Sequence, residues 1–141
     1  MNLDMSNDKD DSGREWDFRY PQSELNAILL QAIDENDLRD VKWSLGQGAD
    51  IHINDDYPLR IASLEGYLDI VKYLVEQDAD IHFRYECALS LAVAKGHLNI
   101  VKYLVEHGAD ISIFDSDTLE WAYEGGHSEI IDYLIEQGVT P

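Results

Sequence analysis

The segment His97-Leu98-Asn99-Ile100-Val101-Lys102-Tyr103-Leu104-Val105-Glu106-His107-Gly108-Ala109-Asp110-Ile111 constrains this chain more than any bulk property, because it recurs. Thirty residues earlier the chain reads Tyr67-Leu68-Asp69-Ile70-Val71-Lys72-Tyr73-Leu74-Val75-Glu76-Gln77-Asp78-Ala79-Asp80-Ile81. A weaker copy starts thirty residues before that, at Asp37-Leu38-Arg39-Asp40-Val41-Lys42-Trp43, and a fourth lies thirty residues later, His127-Ser128-Glu129-Ile130-Ile131-Asp132-Tyr133-Leu134-Ile135-Glu136-Gln137-Gly138-Val139. The copies stay in register without an insertion or deletion. A fixed period of about 20–50 residues marks stacked units, each unable to bury its apolar face alone.

Within each period the apolar spacing is helical twice over. In the first, Leu25, Ile28, Leu29 and Ala32 outline one helix, and Leu38 to Leu45 a second. The second, third and fourth periods repeat the plan with Leu59 and Ala62, Leu89 and Ala92, Leu119 and Ala122 on their first helices. Their second helices carry the stripes Leu68, Val71, Leu74, Val75; Leu98, Val101, Leu104, Val105; and Ile131, Leu134, Ile135. Ala32, Ala62, Ala92 and Ala122 fall at one phase, where a small residue lets neighbouring helices approach. Asn36 stands where later copies carry Gly66 and Gly96, residue types that accept the left-handed backbone just past a helix. Ser23 is the expected N-cap of the first helix, and Pro58 suits a first helical turn. Ser44 breaks the run of Leu74, Leu104 and Leu134, as befits a terminal copy.

Charge excludes some functions. The chain has 141 residues and a formal net charge of -19. Phosphate binding needs clustered Lys and Arg, and an anionic membrane surface needs the same, so neither nucleic acid nor membrane is an expected direct partner. Residues 111–140 hold seven acidic side chains and no Lys or Arg. That segment suits either a solvated surface or a docking face for a basic protein. The lone Cys87 cannot form an internal disulfide, which points to a reducing compartment. No N-terminal apolar run suggests a signal peptide, and no stretch reaches the roughly 20 apolar residues of a membrane span. Residues 1–20 read as an acidic arm, disordered in its first part, whose Trp16, Phe18 and Tyr20 are expected to cover the open side of the first repeat.

The four copies resemble ankyrin repeats. Pro58-Leu59, Gly96-His97, Gly126-His127, Gly48-Ala49-Asp50 and Gly108-Ala109-Asp110 match that family's signature, although its Thr position holds Tyr57, Cys87 and Asp117 and its His position Arg60, Ser90 and Glu120. The resemblance implies an all-α solenoid of four stacked helix pairs over residues 21–140, divided 21–50, 51–80, 81–110 and 111–140. The family's period is about 33 residues. Here three residues are missing between Ile51 and Pro58, so the hairpins are expected to be shortened or replaced by plain loops. The wording of this short variant resembles ankyrin proteins of giant DNA viruses of amoebae. That likeness implies a viral protein acting on a host protein in the host cytoplasm.

The resemblance implies no enzyme and no cofactor, but a protein-binding face made of the turns and first helices. It maps onto Asp56, Tyr57, Arg60, Arg84, Tyr85, Glu86, Phe114, Asp117, Glu120, Trp121 and Tyr123. These positions vary between copies while the scaffold repeats, and aromatics beside charges are what interface hot spots look like. Phe114 and Trp121 could equally fill gaps between helices. No His, Cys and carboxylate spacing suggests a metal site. His97 and His127 match a structural histidine of the family. His52 and His82 occupy equivalent turns, where the family often carries Asn. Cys87 reads as core or half-buried. Two other functions remain open: an acidic mimic of nucleic acid that occupies a basic groove, and a self-associating structural protein whose Tyr133, Leu134 and Ile135 lie partly bare. A monomer is expected over an oligomer.

Overall fold

A computed structural model describes residues 20–141. They form eight helices: α1 (Gln22–Asp34), α2 (Leu38–Gly46), α3 (Ile53–Glu65), α4 (Leu68–Glu76), α5 (Phe83–Lys95), α6 (Leu98–Glu106), α7 (Ser116–Glu124) and α8 (Ser128–Glu136). A single 3-10 turn, Ile111–Ile113, precedes α7. Consecutive helices pack as pairs, giving the all-α repeat plan that the periodicity implies. The chain divides into two units at Asp50/Ile51.

The first unit holds the pair α1·α2. Leu25, Leu29, Ala32, Ile33 and Val41 are buried. Ser44 is buried too, and its hydroxyl donates to the Val41 carbonyl at 3.1 Å, so the missing leucine leaves no unsatisfied polar group. Helix α1 starts one residue after Pro21, whose carbonyl accepts from the amides of Glu24 and Leu25. Ser23 therefore lies inside the helix and is not its N-cap; proline's fixed φ already sets the entry. Asn36 does take the left-handed conformation, with φ 55°. Asn26 Oδ1 accepts from the Asp50 amide at 2.8 Å and from Gln22 Nε2 at 2.9 Å, closing the loop after α2 back onto α1. Tyr20 meets Trp43 of α2 edge-on, with ring centroids 5.1 Å apart. Trp16 and Phe18 lie outside the described residues.

The second unit stacks three pairs. First helices pack in series, α3 on α5 and α5 on α7, and second helices follow as α4 on α6 and α6 on α8. Burial obeys the thirty-residue period: Leu59, Leu89 and Leu119, then Ala62, Ala92 and Ala122, then Ile70, Ile100 and Ile130, then Leu74, Leu104 and Leu134 are all buried. Leu134 is thus fully covered, against the expectation of a bare end, and Ile135 is left exposed. These second helices have nine residues each. Isolated helices that short are marginal in water, so packing of the apolar stripe holds them.

A histidine joins neighbouring repeats. His97 Nε2 lies 2.8 Å from the Leu64 carbonyl at the end of α3. A carbonyl only accepts, so Nε2 carries the proton. The ring rests where Gly66 turns left-handed, φ 87°, and a Cβ there would sit 2.6 Å from His97 Cε1. His127 occupies the same place over Gly96, φ 81°. Glycine is required twice over, by φ and by the ring of the following repeat.

Candidate functional site

The thirty-residue period removes the family's hairpin, and what replaces it in repeats two and three is neither a short hairpin nor a plain loop. Asn54, Asp55 and Asp56 all have φ between 52° and 58°, and Arg84, Tyr85 and Glu86 between 49° and 62°. Each set winds one left-handed turn before the right-handed helix begins. Non-glycine residues enter this region singly, at roughly 1–2 kcal/mol each, so three in succession cost on the order of 3–6 kcal/mol. Something must hold them.

The structure supplies a clip. His52 Nδ1 lies 2.6 Å from Asp56 Oδ1, and His82 Nδ1 lies 2.5 Å from Glu86 Oε1. Both acids are buried, at 6% and 4% exposure, whereas both histidines are exposed at the rim. In repeat two the turn has a second brace. Arg60 donates from Nε to the Asp55 carbonyl at 2.7 Å and from Nη2 to the Asn54 carbonyl at 3.0 Å. Repeat three has Ser90 at that position, too short for this task. Repeat four carries Ser112 and Ser116 in place of the histidine and the acid, and it has no left-handed turn. Its Phe114 and Asp115 are extended, and Asp115 Oδ1 accepts from the Thr118 amide at 3.1 Å as the N-cap of α7.

The eleven candidate residues therefore separate by role. Asp56 and Glu86 are buried against histidines and position the turns. Arg60 is engaged with backbone carbonyls, and its guanidinium lies 6.0 Å from the Tyr57 ring centroid. Tyr57 is half-buried. Arg84 stacks over Phe83 at 5.3 Å and pairs with Asp55 at 3.1 Å, both partners being exposed. Tyr85, at the crest of its turn, is 88% exposed, Trp121 64% and Tyr123 76%. Asp117 and Glu120 are exposed on α7, and Phe114 is buried.

A groove of about 480 Å³ runs between α5 and α7. Leu91, Val93, Ile113, Phe114 and Trp121 give it apolar walls, Cys87 and Ser90 line it from α5, and Asp115 and Asp117 mark its acidic edge. Three of the candidates, Phe114, Asp117 and Trp121, thus share one concavity. Cys87 and Leu91 were missed as lining residues because each looks like scaffold in its own repeat. The signal was available in Leu91 and Trp121, which occupy one repeat phase on adjacent first helices.

Histidine and carboxylate electrostatics follow from the clip. The hydrogen bond to Glu86 is the main reason the His82 pKa is raised; burial opposes it, and the charges of Glu86, Asp80 and Asp110 add to it. The Ser112 hydroxyl and amide hold Asp110 below the usual carboxylate range. Among the described residues no group of three or more His, Cys, Asp or Glu could hold a metal ion. Nor, among them, is any helix long and apolar enough to cross a membrane.

A family model described as ankyrin repeats in three copies matches residues 29–115 and 84–141. With paired helices, buried period-thirty stripes and left-handed glycines closed by the next repeat's histidine, the chain belongs to the ankyrin repeat family. It is a non-catalytic protein–protein interaction module. No curated protein matches it.

Proposed function

We propose that the first-helix face of repeats three and four docks a basic protein segment that carries one large apolar side chain. The observation carrying this reading is the groove between α5 and α7. It is apolar inside, flanked by Trp121 and edged by Asp115 and Asp117. An aromatic or aliphatic anchor would fill it, and Lys or Arg beside the anchor would meet the uncompensated acids of repeat four. Tyr85 and Tyr123 add large amphipathic surface at modest entropic cost. Interface energy concentrates in such aromatic anchors, while the rim acids mainly speed capture. The likeness of the repeats to those of giant viruses would make the partner a host protein and the compartment host cytoplasm.

The test is a set of Lys/Arg-rich peptides with either Leu or Gly at the centre, titrated against the whole protein. The Leu peptides are expected to bind, and Trp121→Ala to weaken them by at least about tenfold, the equivalent of about 1.4 kcal/mol. Asp117→Asn should lower the association rate and its salt dependence more than it raises the dissociation rate. Substituting Glu129 and Asp132 by Ala, on α8, should leave binding unchanged. Equal binding of Leu and Gly peptides, indifferent to Trp121→Ala and abolished by competing DNA, would replace this reading with charge mimicry of nucleic acid.

A further inference from the structure

We propose that the His82–Glu86 pair is a pH-sensitive clip that holds the left-handed turn of repeat three and thereby sets how Tyr85 is presented. Three observations carry it. First, the pair tracks the conformation within one chain: repeats two and three have a histidine four residues before an acid and the left-handed turn, and repeat four has Ser112 and Ser116 and neither feature. Second, Glu86 depends on the imidazole. Its Oε1 meets His82 Nδ1, while Oε2 is buried with no hydrogen-bond partner. A buried carboxylate left without a cation is costly, so the protonated ring stabilises the arrangement beyond a neutral hydrogen bond. Third, Ser90 stands where Arg60 holds the carbonyls of repeat two, so beside the clip this turn is tied by the exposed Arg84–Asp55 pair and not by an arginine on its backbone.

The groups around the ring act in one direction. Glu86 lies on its own helix, Asp80 comes from the loop before α5, and Asp110 comes from the loop after α6; all three favour the charged imidazole, and only partial burial opposes it. The folded pKa therefore lies above the unfolded value of 6.5. The resulting stabilisation is complete below the unfolded value and is lost as pH rises through the folded one. The turn is closed at mildly acidic pH and loosens as the ring deprotonates, which releases Tyr85 from its fixed position at the crest.

The role of Tyr85 in binding rests on the proposed docking face, but the clip does not, and its test reads the turn directly. In the intact protein, the His82 ring and the backbone signals of residues 84–86 would be followed by NMR from about pH 5 to about pH 9. The expected result is one shared midpoint above 6.5 for the ring and the turn, with residues 112–116 unresponsive. Glu86→Gln should return the ring midpoint toward 6.5, and His82→Gln should abolish the transition at Tyr85. Ser90→Arg, which restores the brace of repeat two, should shrink the change in the turn while the ring still titrates. Backbone signals that stay flat while His82 titrates, or a Tyr85 transition that survives His82→Gln, would overturn the clip. A titrating turn whose closure leaves peptide affinity unchanged would uphold the clip and remove Tyr85 from the docking face.

Discussion

At the scale of single residues, position in the period decides what a side chain can tolerate. Leu104 is wholly buried between packed second helices. Leu104→Ala should cost roughly 2–5 kcal/mol through lost burial and the cavity left behind, seen as a lower urea midpoint with an unchanged slope. Gly66→Ala should cost more than about 1 kcal/mol, because alanine resists the positive φ and its Cβ would strike the His97 ring. If Gly66→Ala proves neutral in the same denaturation series, the ring does not rest where the structure places it. Asp56 and Glu86 teach the converse. In sequence they resemble surface charges on a binding face, whereas in the fold both are buried and each meets a histidine four residues before it.

At the scale of the helix and its turn, much of the architecture was legible in the sequence. The stripes at Leu59, Leu74, Leu89 and Leu104 identify the buried faces, and Gly66, Gly96 and Asn36 identify helix ends, since periodic burial and left-handed caps leave strong local signals. The left-handed turns were not legible. Three consecutive non-glycine residues at positive φ contradict every local propensity, and the conformation survives because side chains outside those residues hold it. The groove was half legible: Phe114 and Trp121 stood out as aromatics, while Cys87 and Leu91 join them only through the packing of α5 on α7. Where repeat four abandons the clip, α7 relies instead on Asp115 as N-cap. Asp115→Ala should cost about 1 kcal/mol and raise amide exchange across α7 well before it affects α3 or α5. Uniform acceleration across all three helices would mean that the second unit opens as one body.

At the scale of the whole molecule, charge works against compaction. A net charge of -19 on 141 residues favours solubility but repels itself. Added monovalent salt should therefore raise the thermal midpoint between about 0.01 M and about 0.15 M, over which the screening length falls from about 30 to about 8 Å. A midpoint that falls with salt would show that attractive pairs such as Arg84–Asp55 outweigh the repulsion. The histidine that closes each preceding glycine has one more consequence. The second unit is keyed in a single direction, each repeat supplying the piece that completes the one before it. Gly126 is left-handed like Gly66 and Gly96, and among the described residues nothing beyond its own chain neighbours lies within 4 Å of the position its Cβ would occupy. Among the described residues that keyhole holds no histidine ring from a following repeat. A repeat copied from residues 81–110 and joined after Thr140 would bring its own histidine to that keyhole, so the array could be lengthened by an editor who never touches its core.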